Sequence, residues 1–210
     1  LIACANGHKE VVLLLLDNSE RIEMNARSNN GRTAFMIACI YGHKDVVQML
    51  LDHSEGGIEL NARDHSGSTA FIWACQRGHQ DIVQLLLDHS ERIDLNATTT
   101  VGSTAFMLSC YKGHKDVVQL ILAYSDRNIE LNASNIYGNT AFTWACQFGD
   151  KNVVKLLVEH LDQNIELNAR SSDEWTAFML KNIATSVLVQ CLLDSEPWKA
   201  LVENVLIKRW

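Results

Sequence analysis

Apolar and polar residues follow one pattern that recurs along most of the chain. The sequence Thr-Ala-Phe-x-x-x-Cys begins at Thr33, Thr69, Thr104 and Thr140, so successive copies lie 36, 35 and 36 residues apart. Each copy is followed by Gly-His or Gly-Asp, then by a run rich in valine and leucine, and then by Leu-Asn-Ala. A fixed period of about 20 to 50 residues is typical of stacked repeats. The pattern therefore predicts an array in which each repeat packs against its neighbours.

Residues 63–97 show the elements that one period predicts. Gly67 supplies the backbone freedom that a tight turn needs, and Thr69 is a candidate N-cap for a short helix. Gly78 is predicted to end that helix in a left-handed conformation. A second helix is predicted to begin near His79. The apolar residues of the two helices are Ala70, Phe71, Ala74 and Cys75 in the first, and Ile82, Val83, Leu85, Leu86 and Leu87 in the second.

Two short helices and a turn cannot bury their own apolar faces, so neighbouring repeats must cover them. The pattern resembles the ankyrin repeat. The family signature Gly-x-Thr-Pro-Leu-His-x-Ala-Ala-x-x-Gly-His is matched at 67–79 by Gly-Ser-Thr-Ala-Phe-Ile-Trp-Ala-Cys-Gln-Arg-Gly-His. The resemblance covers nearly the whole chain. It implies an all-α solenoid of stacked helix–turn–helix repeats with projecting β-turn or hairpin loops.

The chain departs from the family signature in three ways. Alanine stands where the family has proline, and the segment after the second helix is two or three residues longer than a usual repeat of about 33 residues allows. The family histidine is also replaced, so its hydrogen bonds must be lost or made by another group. The residues at that position are Met36, Ile72, Met107, Thr143 and Met179.

The period divides the chain, which is predicted to form a single domain over 1–210. We assign a partial repeat at 1–26, full repeats at 27–62, 63–97, 98–133 and 134–169, and a degenerate repeat with a capping helix at 170–210. Ser195-Glu-Pro197 resembles a helix start with proline in the first turn. A helix that docks a further domain is the alternative. Because the chain opens in mid-repeat, we expect it to be a piece of a longer protein.

Composition narrows the classes of partner. The formal net charge of −7 argues against a nucleic-acid backbone or an anionic membrane. No run of 18 apolar residues occurs in the sequence, so no membrane span is predicted. Cysteine recurs at one position of successive repeats, where helix spacing exceeds disulfide reach. Buried free thiols are therefore predicted, which favours an intracellular, cytoplasmic location.

No motif points to catalysis, a metal or a cofactor. Cys-x-x-x-His occurs four times, from Cys4, Cys39, Cys75 and Cys110, but each repeat offers at most two ligands and zinc needs about four. A nucleophilic cysteine needs one specialised cleft, which four equivalent copies contradict. We therefore expect no enzyme activity, no catalytic residue, no metal ligand and no cofactor.

An acidic residue, an aliphatic residue and asparagine recur before the turn of each repeat, and the sequence resembles a site that is hydroxylated in some ankyrin proteins. Local hydrogen bonds from the asparagine side chains to the turn backbone are the favoured interpretation. The asparagines are Asn25, Asn61, Asn96, Asn132 and Asn168.

Positions around the turn and at the end of the first helix vary between repeats while the core does not. They carry aromatic residues, which dominate binding hot spots, and cations that make this face mildly positive. We expect a monomer that binds an extended or helical protein or peptide, partly apolar and neutral to acidic. Trp73 and Trp144 are expected to pack between repeats. The predicted partner-binding residues are Arg32, Tyr41, Arg77, Tyr111, Lys112, Tyr137, Phe148 and Trp175.

The resemblance and this variable face together predict a scaffold that binds a partner protein on a concave face. A structural or mechanical spacer is the first alternative, since near-identical repeats add stability as nearest-neighbour terms. A targeting arm of a larger enzyme is the second. A spacer has no reason to concentrate aromatic residues on one face, so the sequence favours binding.

Overall fold

The computed structural model describes residues 1–53, 57–148, 150–160, 163–166 and 169. These residues contain ten α-helices and no β-strand, apart from one isolated bridge between Thr98 and Thr104. Short 3-10 helices occupy Ser19–Arg21 and Ser125–Arg127. The predicted degenerate repeat and capping helix at 170–210 lie outside the described residues. The α-helices are α1 (Ile2–Ala5), α2 (Lys9–Leu16), α3 (Ala34–Tyr41), α4 (Lys44–Asp52), α5 (Ala70–Arg77), α6 (Gln80–Asp88), α7 (Ala105–Lys112), α8 (Lys115–Ala123), α9 (Ala141–Phe148) and α10 (Lys151–Glu159).

The helices stack in two rows. The first-helix row contains α1, α3, α5, α7 and α9, and the second-helix row contains α2, α4, α6, α8 and α10; each helix contacts the next in its row and its partner in the other row. The core runs between the rows, and one phenylalanine from each full repeat is at most 2 % exposed there: Phe35, Phe71, Phe106 and Phe142. The predicted all-α array of helix pairs is confirmed.

The predicted helix boundaries are also confirmed. The Thr69 hydroxyl accepts a hydrogen bond from the Ile72 backbone N–H at 3.4 Å, and Gly78 ends α5 in the left-handed conformation at φ 75°. In α9 the hydroxyl of Thr143 also accepts from the Thr140 N–H at 2.8 Å. Thr143 stands at the position of the family histidine, so in this repeat a threonine replaces the polar partner.

Histidines link each repeat to the one before it. The imidazole Nε2 of His43, His79 and His114 lies 2.8, 3.0 and 3.0 Å from a carbonyl oxygen of the preceding first helix. Because a carbonyl only accepts, Nε2 carries the proton. In the fourth repeat Asp150 takes this place, and its carboxylate accepts from the Asn152 N–H at 2.6 Å instead. The histidine link is therefore made at three interfaces and replaced by a helix cap at the next.

The asparagine side chains correct one expectation. The four described asparagines bond to the backbone of the next repeat, not to their own turn as predicted, and Asn168 lies outside the described residues. The Asn96 amide Nδ2 donates to the Asn128 carbonyl at 2.8 Å, and its Oδ1 accepts from the Glu130 N–H at 2.9 Å. Asn25, Asn61 and Asn132 make the same pair of bonds across their interfaces. Each of these amides therefore joins its repeat to the next with two hydrogen bonds.

Replacing Asn96 by alanine is expected to lower the free energy of unfolding by about 2 kcal/mol, because two inter-repeat hydrogen bonds are lost. Asn96→Asp keeps the acceptor and loses the donor, so it is expected to cost about half as much. Urea unfolding followed by circular dichroism measures both. An alanine variant as stable as the wild type would show that water replaces these bonds without loss.

The five described cysteines are free and buried, as predicted. Burial raises the pKa of the Cys39, Cys75 and Cys110 thiols far above the usual range, and that of Cys146 to about 12. The thiolate is the reactive form, and a raised pKa keeps these groups protonated. They are therefore unreactive as nucleophiles in the folded chain.

Iodoacetamide is therefore expected to label Cys39, Cys75 and Cys110 at least about a hundredfold more slowly in native protein than in urea, because labelling must wait for local opening. Peptide mass spectrometry over a time course measures each rate. The control is Cys4, in the partial repeat, which should be labelled faster. Labelling of Cys75 at its urea rate would contradict the buried stack.

Candidate partner-binding surface

The predicted site residues stand along one edge of the array. Helices α3, α5, α7 and α9 end at a predicted site residue, and the other predicted positions follow or flank the turn glycines or precede a helix end. Trp175 lies outside the described residues. The remaining predicted residues are called the variable surface: Arg32, Tyr41, Arg77, Tyr111, Lys112, Tyr137 and Phe148.

The turn tips of neighbouring repeats are held together by backbone hydrogen bonds. His65 N donates to the Asn30 carbonyl at 3.1 Å, and Thr100 N donates to the Ser66 carbonyl at 2.8 Å. Ile136 N donates to the Val101 carbonyl at 3.0 Å. These bonds fix the spacing of the tips, so the variable side chains are presented at regular intervals.

One cluster on this surface is built around Trp73. The guanidinium carbon of Arg32 lies 4.4 Å from the indole ring centre and that of Arg77 lies 5.7 Å from it. The indole Nε1 donates to the Asp64 carboxylate at 2.9 Å, and Arg32 Nε lies 3.4 Å from the same oxygen. Arg32 is thus engaged within the chain, which offsets part of the positive charge that the sequence assigns to this face.

Asp64 is the buried residue that joins this cluster to the turn backbone. Its side chain is 2 % exposed, and its second oxygen accepts from the Ser66 and Ser68 backbone N–H groups and from the Ser66 hydroxyl. Burial alone would raise the pKa of the carboxyl, but the hydrogen bonds from Ser66, Trp73 and the Ser68 backbone outweigh it and hold the pKa below its usual value. Asp64 is therefore a charged group at neutral pH.

A second cluster is aromatic and lies on α7 and α9. The ring centres of Tyr111 and Trp144 are 5.3 Å apart, and those of Tyr111 and Phe148 are 5.5 Å apart in an edge-on arrangement. The Lys112 ammonium lies 4.8 Å from the Tyr111 ring centre. Such pairs add packing energy beyond the area they bury. The cluster combines apolar contact area with one exposed cation.

Large apolar side chains remain open to solvent on the same edge. Tyr41 is 59 % exposed, Tyr137 52 % and Phe148 56 %, and Ile136 beside Tyr137 is 65 % exposed. Exposed apolar side chains that form a contiguous patch are typical of interaction sites, whereas isolated ones are common on any surface. The structure thus brings Tyr111, Phe148 and Lys112 together. Tyr41 lies on α3, two repeats before Tyr111.

Asp64 is the residue that sequence reasoning missed. The corresponding residues of the other full repeats are Ser28, Thr99 and Asn135, so only one repeat carries an acid there. That difference was the available signal. The expected packing of Trp73 and Trp144 between repeats agrees with contacts to Arg32 and Tyr111, which each belong to the preceding repeat.

The described part of the chain contains neither a candidate metal centre nor a membrane-spanning helix. Its histidine, cysteine, aspartate and glutamate side chains form no group of three that would hold a metal ion. None of its helices is long and apolar enough to cross a membrane.

Comparison with known families agrees with the repeat geometry. The family model described as "Ankyrin repeats (3 copies)" matches residues 1–99, 56–135 and 91–171. The chain therefore belongs to the ankyrin-repeat family. Comparison with individual curated proteins gives no match. Ankyrin repeats are generally protein-interaction modules and are typically non-catalytic.

Proposed function

We propose that this chain is a non-enzymatic scaffold that binds a partner protein or peptide on its variable surface. The observation that carries the proposal is the aromatic cluster of Tyr111, Trp144 and Phe148 beside the exposed Lys112. Binding hot spots are enriched in aromatic residues and arginine at sites that become desolvated. The partner is expected to be an extended or helical segment with apolar side chains and a neutral to acidic character.

The composition supports the other limits of the proposal. A net charge of −7 disfavours nucleic acid and anionic membranes as partners, and the exposed Lys112 beside the aromatic cluster favours an acidic protein partner. We propose that the chain works as a monomer in the cytoplasm, where its buried thiols stay reduced.

The direct test is a pull-down from cell lysate that compares wild type with a Tyr41/Tyr111/Tyr137/Phe148→Ala variant of matched thermal stability. Proteins retained by the wild type and lost by the variant would support binding on the variable surface. Equal capture by both would overturn it.

A single substitution sharpens this test once a partner is purified. Tyr111→Ala is expected to weaken binding by about 1–3 kcal/mol, because the ring contacts both Trp144 and Phe148 at the centre of the cluster. Isothermal titration calorimetry measures the change. Tyr111→Phe keeps the ring and should bind nearly as wild type, and Gln119→Ala, at an exposed position of α8, should have no effect. An unchanged affinity for Tyr111→Ala would remove the cluster from the interface.

A spacer function is the second candidate. The repeated asparagine and histidine links favour it, since three of the interfaces between neighbouring repeats share a similar set of bonds. Equal or empty capture in the pull-down would make a spacer the better interpretation.

A further inference from the structure

The second and fourth full repeats contain the same site in two chemical versions. Asp64 lies nine residues before Trp73, and Asn135 lies nine residues before Trp144. Oδ1 of Asn135 accepts from the backbone N–H of Tyr137 and Asn139, both at 3.0 Å. Oδ1 of Asp64 is held by the corresponding N–H groups of its own turn. The second side-chain atom of Asn135, Nδ2, therefore takes the place of the Asp64 oxygen that binds the indole.

This exchange leaves donors without an acceptor. In the second repeat the indole N–H of Trp73 donates to a carboxylate oxygen. In the fourth repeat Nδ2 of Asn135 and Nε1 of Trp144 are both donors, so they cannot bond to each other. Asn135 is 5 % exposed, and its Nδ2 has no hydrogen-bond partner. A buried donor with no acceptor calls for an explanation.

The residue that would supply a further partner has changed as well. Arg32, which lies 32 residues before Asp64, corresponds to Ser103, which lies 32 residues before Asn135. Ser103 is 1 % exposed, and its hydroxyl also has no partner. Arg77, the other cation beside Trp73, corresponds to Phe148. The fourth repeat has thus lost the internal carboxylate together with both guanidinium groups around it.

We propose that this position is a binding site for a carboxylate of the partner, supplied by an aspartate or glutamate side chain. The inference deepens the proposed protein-binding function and rests on it. Asp64 occupies the place that the partner's carboxylate would take, because in the second repeat its carboxylate accepts a hydrogen bond from the indole N–H of Trp73. At the fourth-repeat site, the indole N–H of Trp144, the amide of Asn135 and the hydroxyl of Ser103 from the third repeat offer donors to an incoming oxygen. Lys112, 4.8 Å from the Tyr111 ring centre, adds a positive charge nearby.

The Trp144 ring is held differently from the Trp73 ring. Trp144 is half-buried and leans on Tyr111 at 5.3 Å, without the carboxylate anchor that holds Trp73. The Asn135 and Ser103 donors are shielded from solvent in the unbound chain. Under the proposal, a carboxylate reaches the buried Asn135 and Ser103 donors when the half-buried Trp144 ring is displaced.

The test is the indole N–H spectrum of protein labelled with ¹⁵N-tryptophan, with the Trp73 and Trp144 signals assigned from Trp73→Phe and Trp144→Phe. The probe is the peptide acetyl-Ala-Glu-Ala-amide. We expect a saturable shift of the Trp144 signal and none of Trp73, whose N–H already has an acceptor. The neutral peptide acetyl-Ala-Gln-Ala-amide should give no shift. A Trp144 signal that ignores the glutamate peptide, or responds equally to the glutamine peptide, would overturn the site.

Two matched variants complete the test. Asn135→Asp copies the second-repeat chemistry, so it should abolish the Trp144 response and raise the melting temperature. Asp64→Asn frees the indole of Trp73, which should then respond to the glutamate peptide. A response retained by Asn135→Asp would contradict the proposal. A peptide with a free carboxyl terminus, acetyl-Ala-Ala-Ala, distinguishes the source: a response to it alone would overturn the assignment to a side chain.

This experiment needs no natural partner, so its failure is distinct from failure of the proposed function. The pull-down tests whether the variable surface binds a protein, and the indole spectrum tests which chemical group that protein presents.

Discussion

Gly78→Ala is expected to lower the free energy of unfolding by about 3 kcal/mol, because it combines backbone strain with the loss of an inter-repeat hydrogen bond. Gly78 has a φ of 75°, where an L side chain is strained. A Cβ at this position would lie 2.7 Å from Nδ1 of His114. The ring must move, and its hydrogen bond to the Gln76 carbonyl at 3.0 Å is then lost.

Gly113 provides a matched control for this prediction. It ends α7 with nearly the same φ, 73°, but its added Cβ would meet Asp150 Cβ at an ordinary 3.4 Å. Gly113→Ala is therefore expected to cost only the backbone strain, about 1–2 kcal/mol. Urea unfolding monitored by circular dichroism measures both variants. Equal losses would show that the histidine ring gives way without cost.

Asp64→Asn is expected to lower the free energy of unfolding by about 3 kcal/mol at neutral pH. The change removes the acceptor for the Trp73 indole and leaves Arg32, whose side chain is 26 % exposed, without its ion pair. Removal of one partner from a buried pair costs more than the pair itself contributes, because the other partner stays desolvated.

The same carboxylate gives a pH dependence of known sign. The folded pKa of Asp64 lies below its usual value, which is about 3.9 in an unfolded chain. Its contribution is therefore complete above about pH 4 and is lost as the pH falls through the folded pKa. The stability gap between wild type and Asp64→Asn should narrow in acid.

Asp81→Asn is the control for this charge change. Asp81 is exposed in the first turn of α6, where a negative charge contributes about 0.5 kcal/mol at most to a helix end. Thermal unfolding between pH 2.5 and pH 7 compares the three proteins. A gap between wild type and Asp64→Asn that stays constant in acid would show that the Asp64 charge does not stabilise the fold.

The sequence was sufficient for the repeat itself, because the determinants of each helix lie within it. Thr69 and Gly78 mark the two ends of α5 by local backbone chemistry, and the apolar stripe between them faces the neighbouring repeats. The partner of Asn96 could not be found this way. Its bonds reach residues 32 and 34 positions away, and that registration depends on how the repeats stack.

The variable surface was predictable as a set of positions but not as a set of contacts. Variation between repeats pointed to Tyr111 and Phe148, and the structure brings both rings together. The variation between repeats gave no indication that Arg32 would form an ion pair with Asp64 of the next repeat. The different surroundings of Trp73 and Trp144 arise from three exchanges, of Asp64 for Asn135, Arg32 for Ser103 and Arg77 for Phe148.

The exchange of histidine for Asp150 removes one inter-repeat hydrogen bond from the boundary between the third and fourth full repeats. Repeats joined only to their neighbours unravel one boundary at a time, and the boundary with the fewest bonds opens earliest. At the boundary between the third and fourth full repeats, the Asp150 carboxylate caps α10. It does not make the hydrogen bond to the preceding first helix that histidine makes at the other boundaries. Under load or protease attack, the boundary between the third and fourth full repeats is therefore expected to open more readily than a boundary that keeps the histidine bond.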